Sequence, residues 1–153
     1  MNLIRSAIFF ILNFGALALG GLFTGKGVSS DWYTLLIKAP WTPPGWVFGF
    51  AWTSIMICFT IYMALAWNKQ SNKKELGILF VIQWILNVAW NPAFFYFQNA
   101  TLGLCIISLL SLLMAYILFR FKKDMKLYSL FLLPYLIWLC IATSLNGYIF
   151  VMN

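Results

Sequence analysis

Residues 46–67 read WVFGFAWTSIMICFTIYMALAW, a run of 22 without one charged side chain, and residues 68–75 read NKQSNKKE. A bilayer core about 30 Å thick takes about 20 apolar residues as a helix, so the first stretch has the length and composition of a transmembrane span. Lys69, Lys73 and Lys74 mark where it leaves the membrane. Working outward, breaks in hydrophobicity predict four further spans at residues 3–23, 76–97, 102–119 and 127–151. The expected fold is an all-α integral membrane protein, one domain over residues 1–153, built as a five-transmembrane-helix bundle. The first apolar run passes Ala16-Leu17-Ala18, where a signal peptide would be cut, and continues to Phe23, so it reads as a retained helix.

Composition agrees. The chain of 153 residues is 63% hydrophobic and 8% charged, with mean hydropathy +0.90. Soluble domains run near 45–50% apolar and about 25% charged, so a water-facing globule and a disordered chain are both excluded. Ten Lys+Arg stand against three Asp+Glu. They are scattered through short loops rather than gathered on one face, which argues against nucleic-acid binding. Eight of the ten, Arg5, Lys69, Lys73, Lys74, Arg120, Lys122, Lys123 and Lys126, fall on one side of the predicted bundle, against Lys26 and Lys38 on the other. The positive-inside rule then places the N-terminus in the cytoplasm and the first loop and C-terminus outside.

Cys58, Cys105 and Cys140 sit in separate apolar stretches and read as small buried hydrophobes. Histidine is absent, which removes the commonest ligand for haem and zinc, so no metal site and no resident cofactor are expected. No Asp, Glu, Lys or Arg falls in the middle of a span, which argues against ion- or proton-coupled transport.

The connection at residues 24–45 is long for a bundle, and such loops usually carry function. Ser30 or Asp31 can cap a short helix running to Lys38, with Trp32, Tyr33, Leu35 and Leu36 as its apolar side. Pro40, Pro43 and Pro44 then force an extended passage into the second span. A loop with Trp32, Tyr33 and Trp41 is expected to fold back as a lid over the outer end of the bundle.

The uncharged polar residues inside the spans have informative depths. Gln83, Asn87 and Asn91 form one stripe at i, i+4, i+8, with Trp90 beside it. Helical rise places Asn87 about 15 Å below Phe97 and Trp52 about 9 Å below Trp46. Trp138, Ala142 and Asn146 descend the fifth span in the same spacing. Aromatic, amide and small residues from four spans thus share the outer half, where a flat apolar ligand with a few polar edges would fit. Interhelical hydrogen bonding is the competing role for the amides. Ala16-x-x-x-Gly20 and Gly21-x-x-x-Gly25 read as helix-packing patches, and Trp46 and Trp67 as interfacial belt residues. Pro92 and Pro134 either kink their spans or are tolerated.

Several motifs carry a resemblance. Trp32-Tyr33, Lys38, Trp41-Thr42-Pro43-Pro44, Phe48-Gly49 and Ala51-Trp52-Thr53 resemble the first loop and second helix of the translocator protein family, also called tryptophan-rich sensory protein (TspO) or peripheral benzodiazepine receptor. Asn87, Trp90, Pro92 and Phe94-Phe95 are similar to its third helix, and Pro134-Tyr135-Leu136, Trp138, Ala142-Thr143 and Leu145-Asn146 to its fifth. The resemblance implies a homodimeric five-helix bundle in a lipid bilayer, with an interhelical cavity closed by the first loop. It implies a receptor or sensor for porphyrins such as protoporphyrin IX, and for isoquinoline carboxamide or benzodiazepine drugs. Carried onto matching positions, the ligand-binding residues are Trp32, Tyr33, Trp52, Asn87, Trp90, Trp138, Ala142 and Leu145. Some bacterial members are reported to degrade porphyrin in light, which would make Trp52 and Trp138 the reacting residues. Passive translocation of porphyrin or sterol is a third reading.

Three departures bear on this. Ala39 separates Lys38 from Pro40, where the family usually has proline directly after the lysine. Gly45 stands where arginine is frequent, removing a cation for a propionate. Tyr148 is followed by Ile149-Phe150-Val151-Met152-Asn153 without the cation a sterol motif needs, so sterol is not assigned. The short tail and the lack of a transit-like segment point to a bacterial cell membrane.

Overall fold

The structure, a computed structural model, describes residues 3–153; Met1 and Asn2, which the single-domain and signal-peptide readings include, lie outside the described residues. All regular structure among the described residues is helical. The helices are α1 (Leu3–Gly27), α2 (Asp31–Leu35), α3 (Gly45–Lys69), α4 (Lys73–Asn91), α5 (Ala100–Met125) and α6 (Leu133–Met152). A π-helical turn, Pro92–Tyr96, continues α4, and a 3-10 stretch, Lys126–Leu132, joins α5 to α6. Among the described residues four stretches are long and apolar enough to cross a membrane: Leu3–Gly27, Gly45–Lys69, Lys73–Tyr96 and the 53-residue Ala100–Met152. The last doubles back on itself. Asn146 Nδ2 donates to Ala100 O at 3.1 Å, and the Ser111 and Thr143 hydroxyls lie 3.2 Å apart.

Several expected boundaries shift, each for a physical reason. The span expected at 102–119 runs on to Met125, because Arg120, Lys122 and Lys123 stay helical and reach outward with their long stems. The span expected at 127–151 is not one α-helix. It starts in the 3-10 stretch, and Pro134 occupies the first turn of α6, where its missing N–H costs no bond. The span expected at 76–97 starts at Lys73, with Asn72 Oδ1 capping the N–H of Glu75, and loses its α geometry at Pro92. There the proline ring cannot donate to residue 88, so the helix widens by a residue and Phe97 N donates to Pro92 O. The short helix in the loop stops at Leu35 rather than Lys38; Ser30 is its cap, accepting from Tyr33 N.

Sequence neighbours are not always spatial neighbours. The helices close a ring in the order α1, α3, α6, α5, α4 and back to α1. α3 and α4, joined by residues 70–72, touch little, because α1 lies between them. α1 holds both neighbours by polar contacts. Asn13 Nδ2 donates to Thr60 Oγ1 at 3.0 Å, and Trp84 Nε1 donates to Leu12 O at 2.8 Å.

The two ends differ. At one, Arg5 donates to Asn68, Lys69 lies over the Tyr128 ring, and Arg120 pairs with both Glu75 oxygens at 2.8 and 2.9 Å. The half of the bundle above this basic end is filled by Met56, Phe59, Tyr62, Met63, Met114, Phe121 and Leu139, all buried. Phe59 stacks on Phe80 and meets Tyr135 edge-on at 5.5 Å. At the other end residues 28–44 lie across the helices. Trp32 meets Phe94 at 5.3 Å and Tyr33 meets Phe95 at 5.6 Å, each such ring pair being worth about 0.5–1.5 kcal/mol. Trp41 packs edge-on against Tyr148 and donates to Ser144 Oγ, while the Asn153 amide brackets Ile37, accepting its N–H at 2.9 Å.

Candidate functional site

Between the packed half and the overlying segment lies a cavity of about 710 Å³. That is within the 300–1,000 Å³ usual for small-molecule sites. α1 contributes Ala16, Leu17, Gly20, Gly21 and Thr24; α3 contributes Phe48, Gly49, Trp52 and Thr53. α4 and its π-turn contribute Asn87, Trp90, Asn91, Phe94 and Phe95, and α6 contributes Trp138, Ala142, Leu145, Asn146 and Ile149. Tyr33, Lys38, Thr42 and Pro43 line it from the connection between α1 and α3. Behind the wall residue Trp52, Tyr135 stands edge-on to its indole and accepts from Gln83 Nε2 at 2.8 Å.

Of the eight residues expected to bind ligand, seven line this cavity: Tyr33, Trp52, Asn87, Trp90, Trp138, Ala142 and Leu145. Trp32 does not. It packs on the outer side of Phe94, and its neighbour Tyr33 holds the position facing the cavity. Burial raises the Tyr33 phenol above its ordinary range.

The amide stripe divides by role. Gln83 is spent on Tyr135 beneath the cavity. Asn91 Oδ1 accepts from Thr24 Oγ1 at 2.7 Å, tying α4 to α1. Asn146 Oδ1 accepts from Trp90 Nε1 at 3.0 Å while its amide nitrogen holds Ala100 O, and Trp90 stacks on Phe94 with planes 10° apart. Asn87 is buried on the wall. Trp138 is 5% exposed, meets Phe48 edge-on at 5.3 Å, and its indole N–H donates to no protein acceptor.

The glycines on α1 also divide. A Cβ on Gly20 would sit 2.5 Å from Asn91 Nδ2, so Ala16-x-x-x-Gly20 is a true close approach. A Cβ on Gly21 or Gly25 would meet nothing within 4 Å, so the packing role expected of that pair within the chain is overturned; Gly21 is instead cavity wall. The exposed members of the wall are Gly21, Val28, Gly45, Gly49 and Thr53, all on α1, α3 or the residue after α1. The cavity therefore opens sideways between these two helices.

Sequence reasoning left out Phe48, Phe94, Phe95, Asn91, Gly49 and Lys38 as wall residues. Asn91 was legible from its place in the stripe. Phe94 and Phe95 were legible as a motif but not by helical spacing, because the π-turn at Pro92 rephases every side chain beyond it. Lys38 was legible only as part of a motif.

The fold and cavity define a helical membrane protein with an internal chamber, largely apolar and walled in part by the indoles of Trp52, Trp90 and Trp138. The match to the TspO/MBR family runs over residues 7–152, and the chain belongs to that family. It is 37% identical to the tryptophan-rich protein TspO of Chlorobaculum tepidum over 139 residues, covering 88% of this chain and 86% of that one. It is 36% identical to the TspO of Archaeoglobus fulgidus over 135 residues, 88% and 87% of the two chains. The translocator protein of Homo sapiens is 31% identical over 134 residues, 82% and 79% of the two chains.

Proposed function

We propose that this chain is a membrane receptor or sensor for flat, mostly apolar ligands of the porphyrin type, protoporphyrin IX first among them, with isoquinoline carboxamide or benzodiazepine drugs as further occupants. The observation that carries this is the Trp138 indole N–H, a buried donor without an acceptor on the wall of a 710 Å³ apolar chamber. An orphaned buried donor is costly, and a ligand with a central acceptor removes that cost. The ligand-binding residues in this reading are Tyr33, Trp52, Asn87, Trp90, Trp138, Ala142 and Leu145, with Trp32 supporting them from behind Phe94.

The reading includes one domain of five crossings in a bacterial cell membrane. A straight helix over Ala100–Met152 would be about 80 Å long, more than twice the hydrocarbon thickness. The 3-10 stretch at Lys126–Leu132 supports reading it as two crossings. The basic end faces the cytoplasm, and residues 28–44 form an outer lid. The test is a dark titration with protoporphyrin IX in detergent, followed by tryptophan quenching; saturation at micromolar ligand, weakened in Trp138→Phe, is expected. Absence of saturation would leave only the family fold.

A light-dependent degradation of porphyrin is the second reading, favoured because Trp52 and Trp138 face the same chamber. Illumination of the saturated complex tests it: a new absorbing product that needs both indoles supports it, and an unchanged spectrum removes it.

A further inference from the structure

We propose that Lys38 is the anion-recognising group of the chamber and gives preference to porphyrin-type ligands carrying a carboxylate at one rim; this rests on the porphyrin reading above. Lys38 is the single charged side chain on the cavity wall among the described residues. No described carboxylate pairs with it. Its Nζ donates to Tyr33 O at 2.6 Å and touches Leu36 O at 3.5 Å, and it lies 4.5 Å from the centre of the Tyr33 ring. These contacts hold the ammonium in one place on the loop side of the wall, and they occupy at most two of its three N–H groups.

A half-buried cation beside the Tyr33 ring, without an acid, is an incomplete arrangement. An anionic group completes it, and a charge-assisted hydrogen bond is stronger than a neutral one. The remainder of the wall is apolar or neutral, so the arrangement suits an amphiphile whose body lies toward Trp138 and Trp52 and whose acid lies under the loop.

The alternative is that Lys38 only ties the loop to itself through Tyr33 O. The two roles separate when one compares protoporphyrin IX with its dimethyl ester, which keeps the ring and removes the charge. Dissociation constants for both are measured by tryptophan quenching on wild type, Lys38→Met and Lys38→Arg, with thermal melting as a folding control. The proposal expects the acid to bind wild type roughly tenfold more tightly than the ester. Lys38→Met removes that preference, and Lys38→Arg keeps most of it. Equal binding of acid and ester by wild type, or a preference that survives Lys38→Met, overturns it. Equal losses for acid and ester in Lys38→Met assign the residue to loop tying alone. If neither compound saturates wild type while the protein melts normally, the porphyrin reading itself falls.

Discussion

Trp90 on α4 donates its indole N–H to Asn146 Oδ1 on α6 at 3.0 Å, across the top of the chamber. The same amide reaches Ala100 O, so one side chain joins α4, α6 and the start of α5. Asn146→Ala is expected to lower the melting temperature and loosen Trp90 from its stack on Phe94. Polar bonds between helices in membranes average near 0.6 kcal/mol and reach about 1.7. A double-mutant cycle with Trp90→Phe should return a coupling of about 0.5–1.5 kcal/mol. Additive losses would show that the bond contributes nothing beyond packing.

Gly20 and Gly21 are adjacent, yet substituting them has opposite consequences. A Cβ at Gly20 lands on the Asn91 amide and breaks the 2.7 Å bond from Thr24, so Gly20→Ala is expected to destabilise by about 1–3 kcal/mol. A Cβ at Gly21 enters open cavity, so Gly21→Ala keeps the melting temperature and shrinks the binding space instead. Thermal melting and ligand titration of the two variants separate the effects; equal melting temperatures would contradict the close approach.

Trp138→Phe removes an unpartnered donor and keeps an aromatic ring against Phe48. An unsatisfied buried N–H is a liability in the empty protein, so this variant should melt no lower than wild type. Its affinity for protoporphyrin IX should nevertheless fall roughly tenfold, the worth of one good hydrogen bond to ligand. Loss of stability with unchanged affinity would mean the indole serves packing alone.

Much of this was legible in the sequence because lipid leaves little choice: a run such as 46–67 has to be a helix, and its charges have to sit at the ends. Depth was legible too, since helical rise converts residue number into distance, and seven of eight expected wall residues share the chamber. What failed was rotation and neighbourhood. Trp32 and Tyr33 differ by one step on a five-residue helix, and only packing on Phe94 and Phe95 decides which of them faces inward. The insertion of α1 between α3 and α4 leaves no mark on hydropathy. Nor does the 3-10 stretch, whose Leu127, Leu130, Phe131 and Leu132 are as apolar as the helix after it.

The sideways opening gives the last prediction. Gly49 is exposed on α3, lines the chamber, and has open space where a side chain would start. Gly49→Phe should therefore obstruct the gap facing α1 without disturbing a packed contact. A ligand that partitions into the bilayer and enters through this gap would then bind and leave more slowly. Stopped-flow tryptophan quenching in liposomes should show both rates falling together, by about tenfold, with the dissociation constant changing far less. Trp41→Ala supplies the contrast, because it frees the overlying loop from Ser144 and Tyr148 and leaves the gap alone. If Trp41→Ala speeds both rates and Gly49→Phe changes neither, the ligand passes under the loop and the gap between α1 and α3 is not its route.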